Sequence, residues 1–330
     1  MTSSSAPSAR SHSRWAIVLA GGEGQRLRAL TRRLGYDVPK QFCPLLERET
    51  LLELTLRRVA LAIDSSRTLT LVTRAHERYF APLMAAQSER ELHRNLLIQP
   101  DNRGTAVAIA YAAFALAEID PAATVAVFPC DHWFDDDAAL MRKVARAFGL
   151  ASEFQDLTVA LGIAAAQPES GYGWFELGAP ILNETPPLFE VRRFWEKPPA
   201  EVTRAIWLAG AQRNSFILVA RVAALLGLLQ RTLPRLHSAF HTVRPVLGTM
   251  FEQQTIKSLY RDLPRIEFSQ RVLARAPQAL AVLPVSDVEW SDLGEPRRVL
   301  SLLRRITRTN DRDRLADAIR AHRRRARGAA

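Results

Sequence analysis

The sequence is poor in lysine, in cysteine and in long apolar runs. Lysine accounts for four residues against 41 arginines, so each lysine has to be explained individually. The two cysteines, Cys43 and Cys130, have no metal-ligand spacing, which excludes a disulfide-rich secreted scaffold and indicates a reducing compartment. The most membrane-like stretch, residues 106–116, is too short to cross a bilayer. We therefore expect a cytoplasmic protein with no membrane partner.

Positive charge is concentrated at the carboxyl end of the chain. The net charge is +11 at pH 7, and residues 304–330 contribute +7 through ten arginines and three aspartates. The other 303 residues therefore carry only +4. An arginine-rich end is more often a solvated face than a nucleic-acid-binding arm. The composition thus disfavours a nucleic-acid partner and leaves another anionic partner open.

Short apolar runs alternate with amphipathic stretches through the first half of the chain. The runs are rich in Val, Ile, Leu or Thr and predict strands, whereas the stretches between them predict helices. This alternation predicts an α/β fold with a Rossmann-like, mostly parallel sheet flanked by helices. Such sheets bind ligands at the carboxyl ends of their strands. The predicted strands are Trp15–Ala20, Thr68–Thr73, Leu96–Ile98, Thr124–Phe128 and Leu157–Ile163, and the predicted helices cover 51–63, 75–92, 104–119 and 137–150.

The second half of the chain is less regular, and it shows neither an internal repeat nor a clear linker. We expect one domain over 14–303, a disordered segment over 1–13 and an Arg-rich helix or tail over 304–330. The apolar patterns predict strands at Trp174–Leu177 and Phe189–Phe194, and helices over 199–209, 221–230 and, with weaker patterning, 234–262.

A glycine-rich loop, AGGEGQRL, follows the first predicted strand. Gly21, Gly22 and Gly24 let the backbone turn sharply and approach a ligand, and Arg26 adds a fork of donors suited to phosphate. The run is neither the Rossmann GxGxxG nor a P-loop, and alone it favours nucleotide binding only slightly over an ordinary turn. In Pro39-Lys40-Gln41-Phe42, the Lys40 ammonium can fold back over the same phosphates.

Together, AGGEGQRL and PKQF resemble the signature of the sugar-phosphate nucleotidyltransferases, and the Gln-Phe ending is most similar to the mannose-1-phosphate guanylyltransferases. The resemblance implies the fold of the nucleotide-diphospho-sugar transferases. It also implies that Gly21, Gly22, Gly24, Arg26 and Lys40 bind the nucleotide triphosphate.

The run QPDNRGTA follows a predicted strand and opens a predicted helix. Gln and Asn side chains can both donate and accept, as reading a nucleobase edge requires, and Gly104 permits close approach. The residues alone favour a capped turn instead. The resemblance implies that Gln99 and Gly104 hold the base, with Asn102 and Thr105 beside them, in a form similar to that of guanylyltransferases.

Two acidic motifs are candidates for a metal site. Asp131 follows a very apolar strand, where a carboxylate can hold magnesium against phosphate oxygens or can simply cap a helix. The resemblance implies that Asp131 is a catalytic Mg²⁺ ligand and that Asp292, in WSDLG, is the second ligand. Asp287 and Glu289 are weaker alternatives, and His132 is expected to be structural.

The sugar side of the site is carried by two further motifs and one weaker contact. Tyr172 and Gly173 follow Ser170, where the family usually has threonine, and resemble its sugar-binding turn. FWEKPP alone would be a solvated turn; the resemblance implies that Glu196 accepts from sugar hydroxyls and that Lys197 pairs with the 1-phosphate. Asn214 is a weaker sugar contact, because Arg213 replaces the tryptophan of the family's Trp-Asn-Ser segment.

Six motifs thus occur in the family's order across residues 14–303. The resemblance implies a GTP-binding enzyme that joins GTP and mannose 1-phosphate into GDP-mannose and pyrophosphate by direct in-line attack at the α-phosphorus. Arg26, Lys40 and Asp131 would be its catalytic residues, and a homodimer is left open. The alternatives are another nucleotide and sugar 1-phosphate pair, and a non-catalytic sensor of nucleotide sugars, against which the presence of both Asp131 and Asp292 argues.

Overall fold

The computed structural model describes residues 13–46, 49–84, 95–183 and 185–306. Residues 1–12 and 307–330 lie outside the described residues, so the expected N-terminal segment, the tail and the bounds of the domain stay predictions. Within the described ranges, no helix combines the length and the apolar character that a membrane span requires.

A large mixed sheet forms the centre of the molecule, and a short two-stranded ladder lies beside it. Numbered in chain order, the strands are β1 (Arg14–Leu19), β2 (Thr68–Thr73), β3 (Leu96–Gln99), β4 (Thr124–Pro129), β5 (His132–Phe134), β6 (Thr158–Ile163), β7 (Gly173–Leu182), β8 (Leu188–Glu196), β9 (Gln212–Arg221), β10 (Leu280–Val285) and β11 (Trp290–Asp292).

The order of the large sheet is β3-β2-β1-β4-β9-β6-β10-β8-β7. Strands β3, β2, β1 and β4 run parallel, as do β6 and β10. Strand β9 is antiparallel to both β4 and β6, and β7 and β8 form an antiparallel hairpin. The predicted α/β fold with a mostly parallel, mixed sheet is confirmed. All seven predicted strands are present within a few residues of their predicted ends.

The helices are α1 (Arg28–Arg33), α2 (Leu51–Val59), α3 (Glu77–Met84), α4 (Thr105–Ile119), α5 (Asp137–Glu153), α6 (Ala200–Leu208), α7 (Val222–Thr232), α8 (Pro234–Val243), α9 (Glu252–Asp262) and α10 (residues 296–306). Helix α4 is buried on every side over residues 106–117, which explains why its sequence is apolar throughout rather than striped. It packs with α7, α8 and α9 on one face of the sheet, whereas α2, α3, α5 and α6 cover the other face.

The sequence-based expectations missed four strands and misjudged one helical stretch. Strands β5, β9, β10 and β11 were not predicted; β5 and β11 have three residues each, β9 begins with three polar residues, and β10 contains Pro284. The single helical stretch expected over 234–262 is two helices, α8 and α9, interrupted near Pro245 and Gly248. The helix expected over 75–92 is described as Glu77–Met84, and its remainder lies outside the described residues.

The carboxyl edge of the parallel strands collects the predicted motifs. The glycine loop follows β1, Gln99 ends β3, and Asp131 follows β4. Strand β11 pairs with β5 so that Asp292 lies opposite His132, and the Leu293 amide donates to the Asp131 carbonyl at 3.0 Å. Two acidic motifs that are far apart in the sequence are thereby brought to one point on the sheet.

Candidate active site

A cleft of about 530 Å³ lies along this edge of the sheet, and every predicted site residue lines it. The structure therefore brings the six motifs together, while the assignment of individual residues to nucleotide, metal or sugar stays a prediction. The residues are Gly21, Gly22, Gly24, Arg26, Lys40, Gln99, Asn102, Gly104, Thr105, Asp131, Tyr172, Gly173, Glu196, Lys197, Asn214 and Asp292.

The backbone of the glycine loop lies in close contact with neighbouring segments. A Cβ at Gly21 would overlap the side-chain nitrogen Nε2 of Gln99, and Gly24 has φ +62°. Gln41 donates through Nε2 to the carbonyls of Ala20 (3.0 Å) and Gly22 (2.6 Å). A side chain at position 21 would have to displace the hydrogen-bonded side chains of Gln99 and Thr73. Gln41, which the sequence offered only as part of PKQF, fixes the path of the loop.

Gln99 is buried and hydrogen-bonded at both ends of its amide. Its Nε2 donates to Thr73 Oγ1 at 3.0 Å, and its Oε1 accepts from the Tyr260 hydroxyl at 3.3 Å. Thr73 in turn donates to the Gly21 carbonyl at 2.9 Å. Gln99 is thus oriented by the protein before any ligand arrives, and one amide hydrogen is left for a ligand.

The segment after Gln99 forms an Asx-type turn, as its residues favoured, but the N-cap of helix α4 is Gly104 and no side chain caps the helix. Asn102 Oδ1 accepts from the Gly104 amide at 3.0 Å, and Gly104 has φ +87°. A Cβ at Gly104 would overlap the Ile266 carbonyl oxygen, because residues 265–267 run directly alongside. The hydroxyl of Thr105 donates to Glu267 Oε2 at 3.1 Å. The side chains of Asn102 and Thr105 are therefore engaged with the protein.

Arg265 and Glu267 also line the cleft and were missed by sequence reasoning. Arg265 Nε donates to Glu267 Oε1 at 2.9 Å, which adds a charged pair beside the predicted base site. No motif marks these two residues in the sequence. Their position follows only from the backbone pairing of Ile266 with Arg103 and Ala106, at 2.9 and 3.0 Å.

Asp131 forms an ion pair and hydrogen bond with the Lys40 ammonium. Burial alone would raise the pKa of Asp131, but the charge of Lys40, helped by His132, lowers it to about 2. Burial lowers the pKa of His132 to about 4, because it disfavours the charged form of the ring. Its Nδ1 accepts from Trp290 Nε1 at 3.1 Å. At neutral pH, Asp131 is an anion and His132 is a neutral ring oriented by Trp290.

Asp292 is paired with Arg298, which is almost fully buried. Burial raises the pKa of Asp292, and repulsion from Asp131 adds to this, against the attraction of Arg298. Within the described ranges, no cluster of three or more His, Cys, Asp or Glu side chains could enclose a metal ion. The two carboxylates fit an ion that takes its other ligands from phosphate and water, as Mg²⁺ commonly does.

The weaker acidic alternatives lie elsewhere. Asp287 pairs with Lys143 at 3.1 Å, and Glu289 pairs with Arg305; both carboxylates are largely exposed. Neither residue lines the cleft. The structure therefore brings Asp292, rather than these neighbours, beside Asp131.

The sugar-side motifs meet where β7, β8 and β9 adjoin. Gly173 pairs with Glu196 across β7 and β8, and Trp174 pairs with Arg213 across β7 and β9, which sets Asn214 next to Gly173. Lys197 lies 3.8 Å from Glu196 and has φ +49°. Burial raises the pKa of Glu196, whereas the charge of Lys197 lowers it. A carboxylate acceptor, an amide and an ammonium are thus grouped together.

Two arginines pack against Tyr172 in the predicted sugar-binding turn. The Arg298 guanidinium lies 3.9 Å from the centre of the Tyr172 ring, and that of Arg213 lies 5.3 Å from it. Both pair with Glu169, Arg298 at 3.8 Å and Arg213 at 3.6 Å. Because arginine is so abundant in this chain, nothing in the sequence singled out Arg298.

Residues 15–309 match the protein family described as nucleotidyl transferase. Mannose-1-phosphate guanylyltransferase 2 of Escherichia coli O157:H7 is 28% identical over 292 residues, covering 84% of this chain and 58% of the relative. Mannose-1-phosphate guanylyltransferase of Sinorhizobium fredii is 30% identical over 285 residues, covering 84% and 52%. The chain spans about half the length of the curated relatives it matches.

Solved structures are also similar to this chain over most of its length. A crystal structure described as mannose-1-phosphate geranyltransferase from Thermus thermophilus matches with a TM-score of 0.74 and 31% identity, covering 87% of this chain and 79% of that one. A UDP-glucose pyrophosphorylase complexed with UDP-glucose, at 12% identity and a TM-score of 0.58, covers 90% of this chain and 99% of its own, and shares the fold alone. With its motifs gathered in one cleft and most of its length matched, the chain belongs to the nucleotidyl transferase family.

Proposed function

We propose that the protein transfers a guanylyl group from GTP to mannose 1-phosphate, releasing pyrophosphate and giving GDP-mannose. The observation that carries this proposal is the order of groups along the sheet edge. Gln99 at β3 is followed by the glycine loop at β1, by Asp131 at β4, and by Asn214 and Glu196 at β9 and β8. A base, a triphosphate, a metal and a sugar can be bound side by side in that order along the sheet edge.

The names of the relatives support the choice of substrates. Curated relatives at 25–30% identity include several described as mannose-1-phosphate guanylyltransferase. The cleft is compatible with both parts of that pair, since it offers amide and backbone groups for a base and the acceptors Glu196 and Asn214 for hydroxyls.

The reaction needs no general base. An oxygen of the sugar 1-phosphate attacks the α-phosphorus of GTP in line with the departing pyrophosphate, and this oxygen is already anionic. His132, neutral and hydrogen-bonded to Trp290, is accordingly not required to take a proton. The chain's task is to align the two anions and to stabilise the charge that develops between them.

The charged residues of the cleft suit this task. Arg26 and Lys40 adjoin the glycine loop, where they can pair with nucleotide phosphates, and Lys197 adjoins Glu196, where it can pair with the sugar 1-phosphate. Asp131 and Asp292 would hold Mg²⁺, which supplies further neutralisation of phosphate charge when bound.

The test is a substrate matrix. Purified protein with Mg²⁺ is incubated with each of GTP, ATP, CTP and UTP against mannose 1-phosphate, glucose 1-phosphate and N-acetylglucosamine 1-phosphate, and pyrophosphate release is measured. We expect GTP with mannose 1-phosphate to give the highest kcat/KM, with GTP preferred to ATP by roughly tenfold or more, because an unpaired buried polar group costs ~1–3 kcal/mol.

The matrix also separates the alternatives. Equal use of GTP and ATP would refute guanine specificity and leave the reaction class intact. Pyrophosphate release that is fastest with a different pair of nucleotide and sugar 1-phosphate would identify that pair as the substrates instead. Binding of GDP-mannose without pyrophosphate release from any pair would instead identify a non-catalytic sensor.

A further inference from the structure

Two non-glycine residues have a positive φ among the described residues, and both line the cleft on its sugar side: Lys197 at +49° and Phe216 at +57°. For a bulky side chain this backbone conformation is an outlier that costs free energy. Such strain persists where the surrounding structure enforces it, commonly at functional sites. Lys197 already has an assigned role, whereas Phe216 has none.

A bulge in β9 enforces the conformation of Phe216. Ala160 pairs with Leu218 and Gly162 pairs with Asn214, so residues 215–217 all lie opposite Leu161. Asn214 Oδ1 accepts from the Phe216 amide at 2.8 Å. Ser215 Oγ donates to the Leu161 carbonyl at 2.6 Å and accepts from the Ile217 amide at 3.2 Å. A bulge redirects side chains out of the regular alternation of a strand, and here it leaves Phe216 lining the cleft.

The Phe216 ring packs against a second aromatic ring, that of Phe268. Its centre lies 6.2 Å from that of Phe268 at an interplanar angle of 72°, the edge-to-face arrangement that aromatic pairs favour. Phe268 is fully buried, and its amide is held by Thr105 Oγ1 at 2.8 Å. The Phe216 ring is therefore packed against the core where it lines the cleft.

The position of Phe216 along β9 places it with the sugar-side groups. Asn214, two residues before it, lies next to Gly173, which in turn pairs with Glu196. Glu196, Asn214 and Lys197 can satisfy hydroxyl and phosphate oxygens, and Phe216 supplies a flat apolar surface in the same wall of the cleft. A pyranose ring needs both kinds of surface, because its hydroxyls project from a ring whose C–H faces are apolar.

We propose that Phe216 is a specificity-determining residue for the sugar. The phenylalanine ring covers a C–H face of an unsubstituted hexose 1-phosphate and fills the volume that an N-acetyl substituent would need. This inference rests on the proposed function, since it concerns the acceptor in the same cleft. It requires that shortening the side chain shifts selectivity among sugars and leaves nucleotide use unchanged.

The experiment compares Phe216→Gly and Phe216→Asn with the wild type. Glycine, and to a lesser degree asparagine, accept a positive φ, so relief of backbone strain should partly offset the packing lost with the ring, and both variants should fold. Thermal unfolding of each variant checks this. We expect the ratio of kcat/KM for N-acetylglucosamine 1-phosphate to kcat/KM for mannose 1-phosphate to rise by roughly tenfold or more, as expected for a change of size in an apolar pocket. The KM for GTP should stay within about twofold of the wild-type value.

Two controls sharpen the result. Phe216→Leu keeps an apolar side chain of similar bulk and should leave the ratio near that of the wild type. Phe251→Ala removes an exposed phenylalanine outside the cleft lining and should change nothing. An unchanged sugar ratio in folded Gly and Asn variants would overturn the inference, as would a shift confined to GTP. Loss of the folded state in both variants would show that the ring serves the fold instead.

Failure of the proposed function gives a different pattern. In that case the wild type itself turns over neither acceptor with any nucleotide, whatever residue occupies position 216. A wild type active on several sugars whose preferences do not respond to position 216 would contradict this inference alone.

Discussion

Lys40 and Lys197 are two of only four lysines, and they occupy different parts of the cleft. Lys40 pairs with Asp131 beside the glycine loop, and Lys197 lies beside Glu196 on the sugar side. We expect Lys197→Ala to raise the KM for the sugar phosphate about tenfold or more with little effect on GTP, because it removes a charge-assisted hydrogen bond. Lys40→Ala should chiefly lower kcat, because in the proposed reaction its charge would meet the negative charge that develops on the departing pyrophosphate.

Steady-state kinetics with each substrate varied in turn would check this division, with the exposed Lys257→Ala as the control. If Lys197→Ala impaired GTP alone and Lys40→Ala impaired only the sugar phosphate, the cleft would be oriented the other way round.

His132 makes stability depend on pH. Its pKa is about 4 in the folded protein and 6.5 in the unfolded reference, because burial disfavours the charged ring. Between these values the unfolded chain binds a proton that the folded chain does not, so the free energy of unfolding falls as the pH drops from about 6.5 to about 4. The loss is at most about 3 kcal/mol, and below about pH 4 this contribution levels off.

Denaturant unfolding measured from pH 7 to pH 4 would test this. His132→Gln should flatten the dependence, whereas His241→Gln, on an exposed part of α8, should keep it. Equal slopes in the His132 variant and the wild type would show that another group is responsible.

Single residues were predictable from sequence where they belong to a contiguous motif. Gly21, Lys40, Asp131 and Glu196 each stand in such a run, and all line the cleft. Glu267, Arg298 and Phe216 could not be found in that way. Their places depend on a backbone pairing, on a buried ion pair and on a bulge, and each of these joins segments that are distant in sequence or offset in register.

At the scale of elements, helix α4 was easy to predict and strand β9 was not. An apolar run of more than ten residues bounded by Gly104 and Asp120 indicates a buried helix. Strand β9 starts with three polar residues, Gln212, Arg213 and Asn214, of which Asn214 lines the cleft. Its sequence therefore does not alternate as that of an ordinary strand does. Its antiparallel insertion between β4 and β6 is a property of the sheet and leaves no local signal.

The turn at Gly104 offers a matched test of how the segment 265–267 shapes the predicted base site. Gly104 and Gly210 have nearly the same φ, +87° and +86°, but a Cβ at Gly104 would overlap Ile266 whereas one at Gly210 would meet nothing within 4 Å. Both alanine variants should therefore lose roughly 1–2 kcal/mol of stability from the backbone alone.

Only Gly104→Ala should also displace residues 265–267 and raise the KM for the nucleotide, by about tenfold or more. Thermal unfolding and nucleotide kinetics on the two variants would separate the effects. A nucleotide KM that rose equally in both, or in neither, would contradict a role of this turn in nucleotide binding.

At the scale of the whole molecule, the last described helix belongs to the catalytic unit. Val299 and Leu302 of α10 pack with Leu27 and Leu293, and Arg298 of the same helix holds Asp292. The arginine-rich residues beyond 306 lie outside the described part of the chain, and their sequence contains no motif with evident chemistry.

Removing residues 312–330 should therefore leave kcat and KM within about twofold of the full-length values, whereas a truncation before residue 296 should abolish folding or activity. Loss of activity in the shorter truncation would show instead that the basic tail packs on the catalytic unit or on a partner subunit. The assay is steady-state kinetics together with thermal unfolding on the purified truncations.

We infer that this cleft joins a nucleoside triphosphate to a sugar 1-phosphate with the two carboxylates at its centre. Phosphorus NMR of wild-type protein with GTP, mannose 1-phosphate and Mg²⁺ tests it most directly. We predict that a nucleoside diphosphate sugar and pyrophosphate appear in equal amounts, and only when both substrates are present. Folded Asp131→Asn and Asp292→Asn variants should be slower by roughly 10²–10³-fold, the typical loss when one charge-stabilising group is removed. Release of GDP and inorganic phosphate, or product formation independent of the sugar phosphate, would contradict the account.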